Sequence, residues 1–127
     1  MSGSALKLEI LLDEGRTSFE PGARLSGVAA WTAPSPPRAL EVRLTWTSRS
    51  GAGRDVRIEQ TLPLDAPSAT ERRPFAFTLP AEPYSFRGQL VSLTWSVELV
   101  AQPGDDTITV PIVVAPGAAP LELVAVR

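Results

Sequence analysis

The stretch Val91-Ser92-Leu93-Thr94-Trp95-Ser96-Val97-Glu98-Leu99 alternates apolar and polar residues without interruption. Side chains of a β-strand project to opposite faces with a period of two, so this stretch has one apolar face and one polar face. It predicts a strand over residues 90–101 that is buried on one side and in contact with water on the other.

Turn residues separate further segments of the same kind on both sides of this strand. Clusters of Gly, Pro, Asp and Ser recur at short intervals, which is typical of an all-β sandwich or barrel and leaves no room for the helices of βαβ units. We predict seven strands, at residues 6–12, 24–31, 39–47, 54–62, 73–79, 90–101 and 107–115. The tail at 121–126 forms an eighth strand if it pairs with one of these. No segment has the periodicity of a helix.

The strands 39–47 and 54–62 are predicted to form a hairpin through the turn Ser50-Gly51-Ala52-Gly53. Alternation places on the core side Leu40, Val42, Leu44 and Trp46 of the first strand and Val56, Ile58 and Leu62 of the second. The residues that would then face water are Arg57, Glu59 and Thr61. Outward charges suit an edge strand, because they discourage pairing between sheets.

Pro111 interrupts the apolar strand at residues 107–115. Proline has no backbone N–H, so it cannot donate a hydrogen bond to a neighbouring strand. We therefore predict that this strand lies at the edge of a sheet or is bulged at Pro111.

The three tryptophans, Tyr84 and Phe86 divide into three groups. Trp46 and Trp95 fall on the apolar phase of their strands and are predicted to lie in the core. Trp31 lies in a stretch without clear alternation, which predicts partial exposure. Tyr84 and Phe86 precede the strand at 90–101, and they either plug the end of the sandwich or form an exposed contact of the kind that anchors interfaces.

The composition is that of a globular protein. The chain has 127 residues, of which 43% are hydrophobic and 20% are charged, and such a chain can bury a core without a metal or a disulfide. We predict one domain over residues 1–127, with the core at about 5–115 and a tail or extra strand at 116–127. No run reaches the roughly 18 apolar residues of a membrane span and the first residues lack the features of a secretory signal, so we expect a cytoplasmic protein without membrane insertion.

Residues that carry common catalytic chemistry are missing from the sequence. The chain contains no His and no Cys, so it cannot build a Ser-His or Cys-His nucleophile or a His or thiolate zinc site. The paired carboxylates Asp13-Glu14 and Asp105-Asp106 fall in predicted turns, where Asp bonds the local backbone. We therefore predict no enzymatic activity, no cofactor and no metal.

The charge of the chain bears on its partners and its source. A formal net charge of −2 provides no basic field for a phosphate backbone, so nucleic acid is not an expected partner. Eleven of the twelve Lys and Arg residues are Arg, and Pro is abundant. This bias favours the codon usage of a GC-rich bacterial genome, while selection for bidentate anion binding by Arg is the alternative.

Three segments together resemble the amino-terminal domain of the arrestin-like superfamily. They are Phe19-Glu-Pro-Gly-Ala-Arg-Leu-Ser-Gly-Val28, Phe75-Ala-Phe-Thr-Leu-Pro80 and Pro83-Tyr-Ser-Phe-Arg-Gly-Gln-Leu-Val-Ser-Leu-Thr-Trp-Ser-Val97. The superfamily includes arrestins, the arrestin-fold retromer subunit and bacterial sporulation-control proteins. The resemblance implies an immunoglobulin-like β-sandwich of two mostly antiparallel sheets with seven or eight strands. Those proteins pair two sandwiches, whereas this sequence accommodates one.

The resemblance also implies a non-enzymatic adaptor or scaffold that binds a protein partner. An open sandwich can accept an extended peptide or a second copy at a sheet edge, so a homodimer is one expectation. The residues that we expect to bind the partner are aromatic or basic, namely Trp31, Arg54, Arg57, Tyr84, Phe86 and Arg87. The alternative is a sandwich that binds carbohydrate or another small ligand, for which Trp31, Tyr84 and the abundance of Arg are the reason.

Overall fold

The fold is all-β, with ten strands within the described residues. The computed structural model describes residues 6–88, 90–118 and 121–122. The strands are β1 (Lys7–Leu12), β2 (Ser18–Phe19), β3 (Arg24–Thr32), β4 (Ala39–Ser50), β5 (Gly53–Leu64), β6 (Thr70–Thr78), β7 (Phe86–Arg87), β8 (Val91–Gln102), β9 (Asp106–Val114) and β10 (Leu121–Glu122). The seven predicted strands correspond to β1, β3, β4, β5, β6, β8 and β9. The short strand β10 begins the predicted eighth, of which residues 123–126 lie outside the described residues.

Strand β8 lies at the centre of the larger sheet. It pairs with β4 along its whole length on one side, and with β7 and then β9 on the other. The order of this sheet is β10-β7-β8-β4-β5, with β9 beside β8 and β2 beside β9, and the smaller sheet has the order β1-β3-β6. Most pairs are antiparallel, while β2 with β9 and β7 with β10 are parallel. The prediction of a sandwich of two mostly antiparallel sheets is therefore confirmed.

The core lies between the apolar faces of the two sheets. In β8, Leu93, Trp95, Val97 and Leu99 are buried, as the alternation predicted. The Trp95 indole N–H donates a hydrogen bond to the carbonyl of Pro83 at 2.9 Å. The polar atom of this large ring therefore has a partner inside the core, which a buried tryptophan needs.

Residues that carry the arrestin-like resemblance have structural roles. Gly22 occupies a turn with a φ of +82°, a conformation that glycine adopts without steric cost. A Cβ atom on Gly27 would lie 2.5 Å from the carbonyl oxygen of Leu11 in the neighbouring strand, so only glycine fits there. The Ser85 hydroxyl accepts a hydrogen bond from the Val114 N–H at 2.9 Å, and the Ser85 N–H donates to the Val114 carbonyl at 2.7 Å. These two bonds attach the loop before β7 to the end of β9.

A β-bulge changes the alternation within β5. The register of β4 and β5 shifts between Leu44 and Thr45, which lie opposite Gln60 and Ile58. Glu59 is therefore an extra residue without a partner in β4. Such an extra residue breaks the alternation of side chains, so that residues before it point to the face opposite to the one that the alternation after it would predict.

The prediction that Val56 and Ile58 face the core is therefore wrong. Their side chains are on the outer face of the larger sheet, where the two residues are 54% and 49% exposed. Arg57 takes the inward phase instead and lies opposite Trp46. Leu62, beyond the bulge, packs against the core as predicted.

Trp31 is buried, so the prediction of partial exposure is also wrong. It is 2% exposed and shares the inward face of β3 with Leu25 and Ala29. The inward face of β3 cannot be recognised from the sequence, because Ala30 on the opposite face is also apolar and buried. Trp46, which was predicted to lie in the core, is half-buried and packs against it.

Prolines lie in outer strands of both sheets. Pro74 lies in β6, Pro63 lies near the end of β5, and Pro111 lies in β9. Strand β9 pairs with β8 on one side, and on the other side only its last two residues pair with β2. Pro111 therefore lies in an edge segment, as predicted, and edge prolines limit pairing with other chains.

Replacing Trp95 with Ala should lower the free energy of unfolding by about 3 to 5 kcal/mol, because the ring is fully buried and its loss leaves a cavity. Urea denaturation of the wild type and the variant measures this difference. A loss below about 1 kcal/mol, the size of a surface substitution, would contradict the buried position of the ring.

Candidate binding surface

The hairpin of β4 and β5 extends beyond the sandwich. We call residues 48–58 the hairpin arm. All six residues from Gly53 to Ile58 are exposed, although successive side chains of a strand point to opposite faces. The smaller sheet therefore does not cover the arm. The two-residue turn at Gly51 and Ala52 joins its strands, as the sequence predicted.

Three arginines lie in one row across the outer face of the larger sheet. Arg54 lies opposite Arg49, Arg49 lies opposite Ser92, and Ser92 lies opposite Arg87. Residues directly opposite each other in antiparallel strands project to the same face. Neighbouring strands are about 4.8 Å apart, so the row spans roughly 14 Å. All three arginines are exposed.

Two apolar side chains continue this surface along β5. Val56 lies opposite Thr47 and Ile58 lies opposite Thr45. Both apolar residues follow Arg54 on the same face, because alternate residues of a strand share a face. We call Arg49, Arg54, Arg87, Val56 and Ile58 together the arm face. It combines a positive row with an exposed apolar pair.

The other face of the arm carries charges of both signs. Arg57 and Asp55 are two residues apart and share this face. The Arg57 guanidinium lies 3.8 Å from the Glu59 carboxylate, and that carboxylate accepts a hydrogen bond from the Trp46 indole N–H at 2.7 Å. Asp55 makes no ion pair with any residue that the structure describes.

A cleft of about 540 Å³ lies between β7 and β9, where both strands meet the same side of β8. Apolar residues form much of its lining, namely Phe86, Leu93, Pro111, Ile112 and Val113. Arg87 and four residues with hydroxyl groups complete the lining. Phe86 is half-buried and packs against the core. The cleft exists because β7 ends its pairing at Leu93 and β9 begins at Trp95.

Trp31 is held in a network at the end of the smaller sheet. Its indole N–H donates to the Ser68 carbonyl at 2.7 Å, and the Arg73 guanidinium lies 5.9 Å from the ring centroid. The Arg73 Nε lies 2.6 Å from a Glu71 carboxylate oxygen, and the Ser68 N–H donates to the other oxygen at 2.9 Å. The hydrogen bond from Arg73, followed by that from Ser68, lowers the pKa of Glu71 from its ordinary value of 4.5.

The structure separates the six residues that we expected to bind a partner. It brings Arg54 and Arg87 into one row, and it places Arg57 on the opposite face of the arm. Phe86 lines the cleft, Tyr84 is half-buried in the loop before it, and Trp31 is in the core.

Arg49, Val56 and Ile58 belong to the arm face but were not among the residues predicted to bind a partner. A signal for Arg49 was available, because a two-residue turn at 51–52 places residue 49 directly opposite Arg54. The exposure of Val56 and Ile58 depends on the bulge at Glu59, for which the apolar alternation of β5 gives no sign.

The described residues contain neither a cluster of metal ligands nor a helix that could cross a membrane. Within 6–88, 90–118 and 121–122, no three His, Cys, Asp or Glu side chains converge as metal ligands would. In the same part of the chain, no helix has the length and apolar character to cross a membrane. The Asp13 carboxylate accepts a hydrogen bond from the Ser26 hydroxyl at 2.5 Å, which gives this turn residue a structural partner.

Comparison with solved structures identifies the fold as arrestin-like. Spo0M, a sporulation control protein from Bacillus subtilis, superimposes with a TM-score of 0.65 at 18% identity, over 89% of this chain and 50% of that one. A β-glucosidase from Listeria innocua superimposes with a TM-score of 0.51 at 14% identity, over 88% of this chain and 16% of that one. The chain thus spans half the length of Spo0M and a small part of the glucosidase. No protein-family profile matches it, and no curated protein does.

The chain is therefore an arrestin-like β-sandwich, as the three sequence segments indicated. An identity of 18% establishes the fold and not a shared activity. The function of this chain depends on its own surface residues.

Replacing Glu71 with Gln should lower the melting temperature at neutral pH, because the carboxylate and Arg73 stabilise each other in the folded state. A lowered pKa contributes stability above the unfolded value of 4.5, and this contribution is lost as the pH falls through the folded value. The difference between wild type and variant should therefore shrink when melting is measured at about pH 3 instead of about pH 7. Glu9→Gln, on an exposed position of β1, is the control, and an equal difference at both pH values for E71Q would contradict the role of the ion pair.

Proposed function

We propose that this chain is a non-enzymatic adaptor or scaffold domain that binds a protein partner on the arm face. The observation that carries the proposal is the exposed pair Val56 and Ile58 beside a row of three arginines. Protein interfaces combine apolar residues at the centre with a polar rim, and Arg is enriched in them. Single exposed apolar residues are common on protein surfaces, but here two adjoin a charged row on one open sheet face.

The partner that fits this surface is acidic. The arm carries Arg49, Arg54 and Arg57 against the single acid Asp55, although the whole chain has a net charge of −2. Guanidinium groups bind carboxylates in bidentate geometry. Such complementarity raises the rate of association and weakens with salt.

Other observations support a regulatory role in a bacterium. The arrestin-like fold is shared with a sporulation control protein. The preference for Arg over Lys favours a GC-rich bacterial source, and the sequence lacks the residues of Ser-His and Cys-His nucleophiles. Together these observations favour binding over catalysis.

Reversing the charge of the arm should abolish binding of the partner. We suggest affinity capture from the soluble lysate of the native host with the wild type and with an R49E/R54E variant. An R24E/R38E variant is the matched control, because it makes the same change in net charge at two exposed arginines outside the arm. We expect a protein that the wild type and the control retain and that the arm variant loses. Retention of the same proteins by all three would contradict binding through the arm face.

The second candidate is a domain that binds carbohydrate or another small ligand in the cleft between β7 and β9. The observation that favours it is the size of the cleft, about 540 Å³, with a lining that combines apolar residues, hydroxyl groups and Arg87. Ligand sites commonly have this volume and this mixture of residues.

Thermal shift with a panel of glycans and small metabolites tests this candidate. At least one ligand should raise the melting temperature of the wild type, because a ligand that binds only the folded state stabilises it. A T94W variant, in which the new side chain would fill the cleft from an exposed position, should lose that shift. An unchanged melting temperature across the panel would count against the candidate.

A further inference from the structure

We propose that a second copy of this chain pairs with the free edge of β5, in an antiparallel register centred on Val56. Among the described strands, β5 pairs with β4 and has no hydrogen-bonded strand on its other side. Backbone N–H and C=O groups along such an edge can bind a further strand. The residues Gly53 to Ile58 are exposed on both faces, so neither sheet obstructs this edge. The inference goes beyond the adaptor function, because it concerns the edge of the arm and not the arm face.

Complementary charges select the register. When Val56 lies opposite Val56 of the second copy, Asp55 of each copy lies opposite Arg57 of the other. Opposite residues share a face, so two oppositely charged pairs form side by side around the centre. Asp55 has no ion pair among the described residues of its own chain, which leaves its carboxylate available.

Neighbouring registers bring like charges together. A centre at Asp55 places two aspartates opposite each other, and a centre at Arg57 places two arginines opposite each other and Asp55 opposite Glu59. Like charges in directly opposite positions are destabilising. A centre at Ile58 would pair Arg57 with Glu59, but this lies at the bulge, where the Glu59 carboxylate already binds the Trp46 indole.

The position of the smaller sheet also permits this register. The Gln60 side chain donates to the Thr78 carbonyl of β6 at 2.9 Å, and Leu64 is buried, so the smaller sheet covers β5 from residue 60 onward. Gln60 is four residues from Val56, or roughly 13 Å along a strand. In the proposed register the covered segments of the two copies lie on opposite sides of the centre. The two smaller sheets therefore do not collide.

The pairing would join the two larger sheets into one continuous sheet. The two-fold axis is perpendicular to that sheet, so both arm faces lie on the same side of it. Each copy contributes its own arginine row, and Val56 of both copies lies between the rows. A dimer would thus present the surface of the proposed adaptor twice, on one face.

Charge reversal with mixing tests the inference. Sedimentation equilibrium at low salt should show that the average mass of the wild type rises with concentration. D55R and R57D should each weaken association by roughly tenfold or more, because each places like charges opposite each other twice. The double variant D55R/R57D should associate as the wild type does. An equimolar mixture of the two single variants should also recover association, because each supplies the charge that the other needs.

Recovery in the mixture cannot be explained by misfolding of a single variant. The inference is overturned if the wild type stays monomeric over the whole concentration range. It is also overturned if the single variants associate like the wild type, or if neither the mixture nor the double variant recovers. The residues changed here differ from those of the capture experiment, so loss of dimerisation and loss of partner binding are separate results.

Discussion

The rest of the structure depends on the burial of Trp95 and its hydrogen bond to the Pro83 carbonyl. The ring lies in the middle of β8, so it fixes the strand that both halves of the larger sheet share. The bond to Pro83 holds the loop that leads to β7, and Ser85 in that loop is bonded to the end of β9. The strands β7 and β9 therefore pair with the same side of β8, and the cleft lies between them. On its other side, β8 supports β4 and with it the hairpin arm.

The sequence was sufficient where the large apolar residues of a strand lie on one face. This holds for Leu93 to Leu99 in β8 and for Leu40 to Leu44 in β4, and the buried positions of their alternating apolar residues and the hairpin turn were predicted correctly. In β3, Ala29 and Ala30 are both buried, so alternation is lost and Trp31 could not be placed. In β5 a single extra residue, Glu59, exchanges the faces, and no local pattern of apolar residues signals it. The arginines of the row lie together because their strands are paired in a particular register. The alternation within a single strand does not contain this information.

The bulge gives the hairpin arm two faces with different chemistry. One face has Arg49 and Arg54 beside Val56 and Ile58, and the other has Asp55 and Arg57, whose charges are opposite. An adaptor needs a surface for its partner, and a dimer needs an edge, so the two proposals use different parts of the same arm. The arrestin-like fold itself carries neither property, since the same fold forms half of Spo0M and a small part of a β-glucosidase.

The distribution of proline sets a limit on assembly by strand addition. Pro111 lies in β9, on the far side of the larger sheet from β5, and Pro63 lies at the end of β5 remote from the arm. Within the described residues, the arm is therefore the long proline-free edge of this sheet. When two molecules pair through this same edge, the edge is occupied in both, and no equivalent edge is left for a third molecule. Growth by this route stops at a closed pair and does not continue into a fibre.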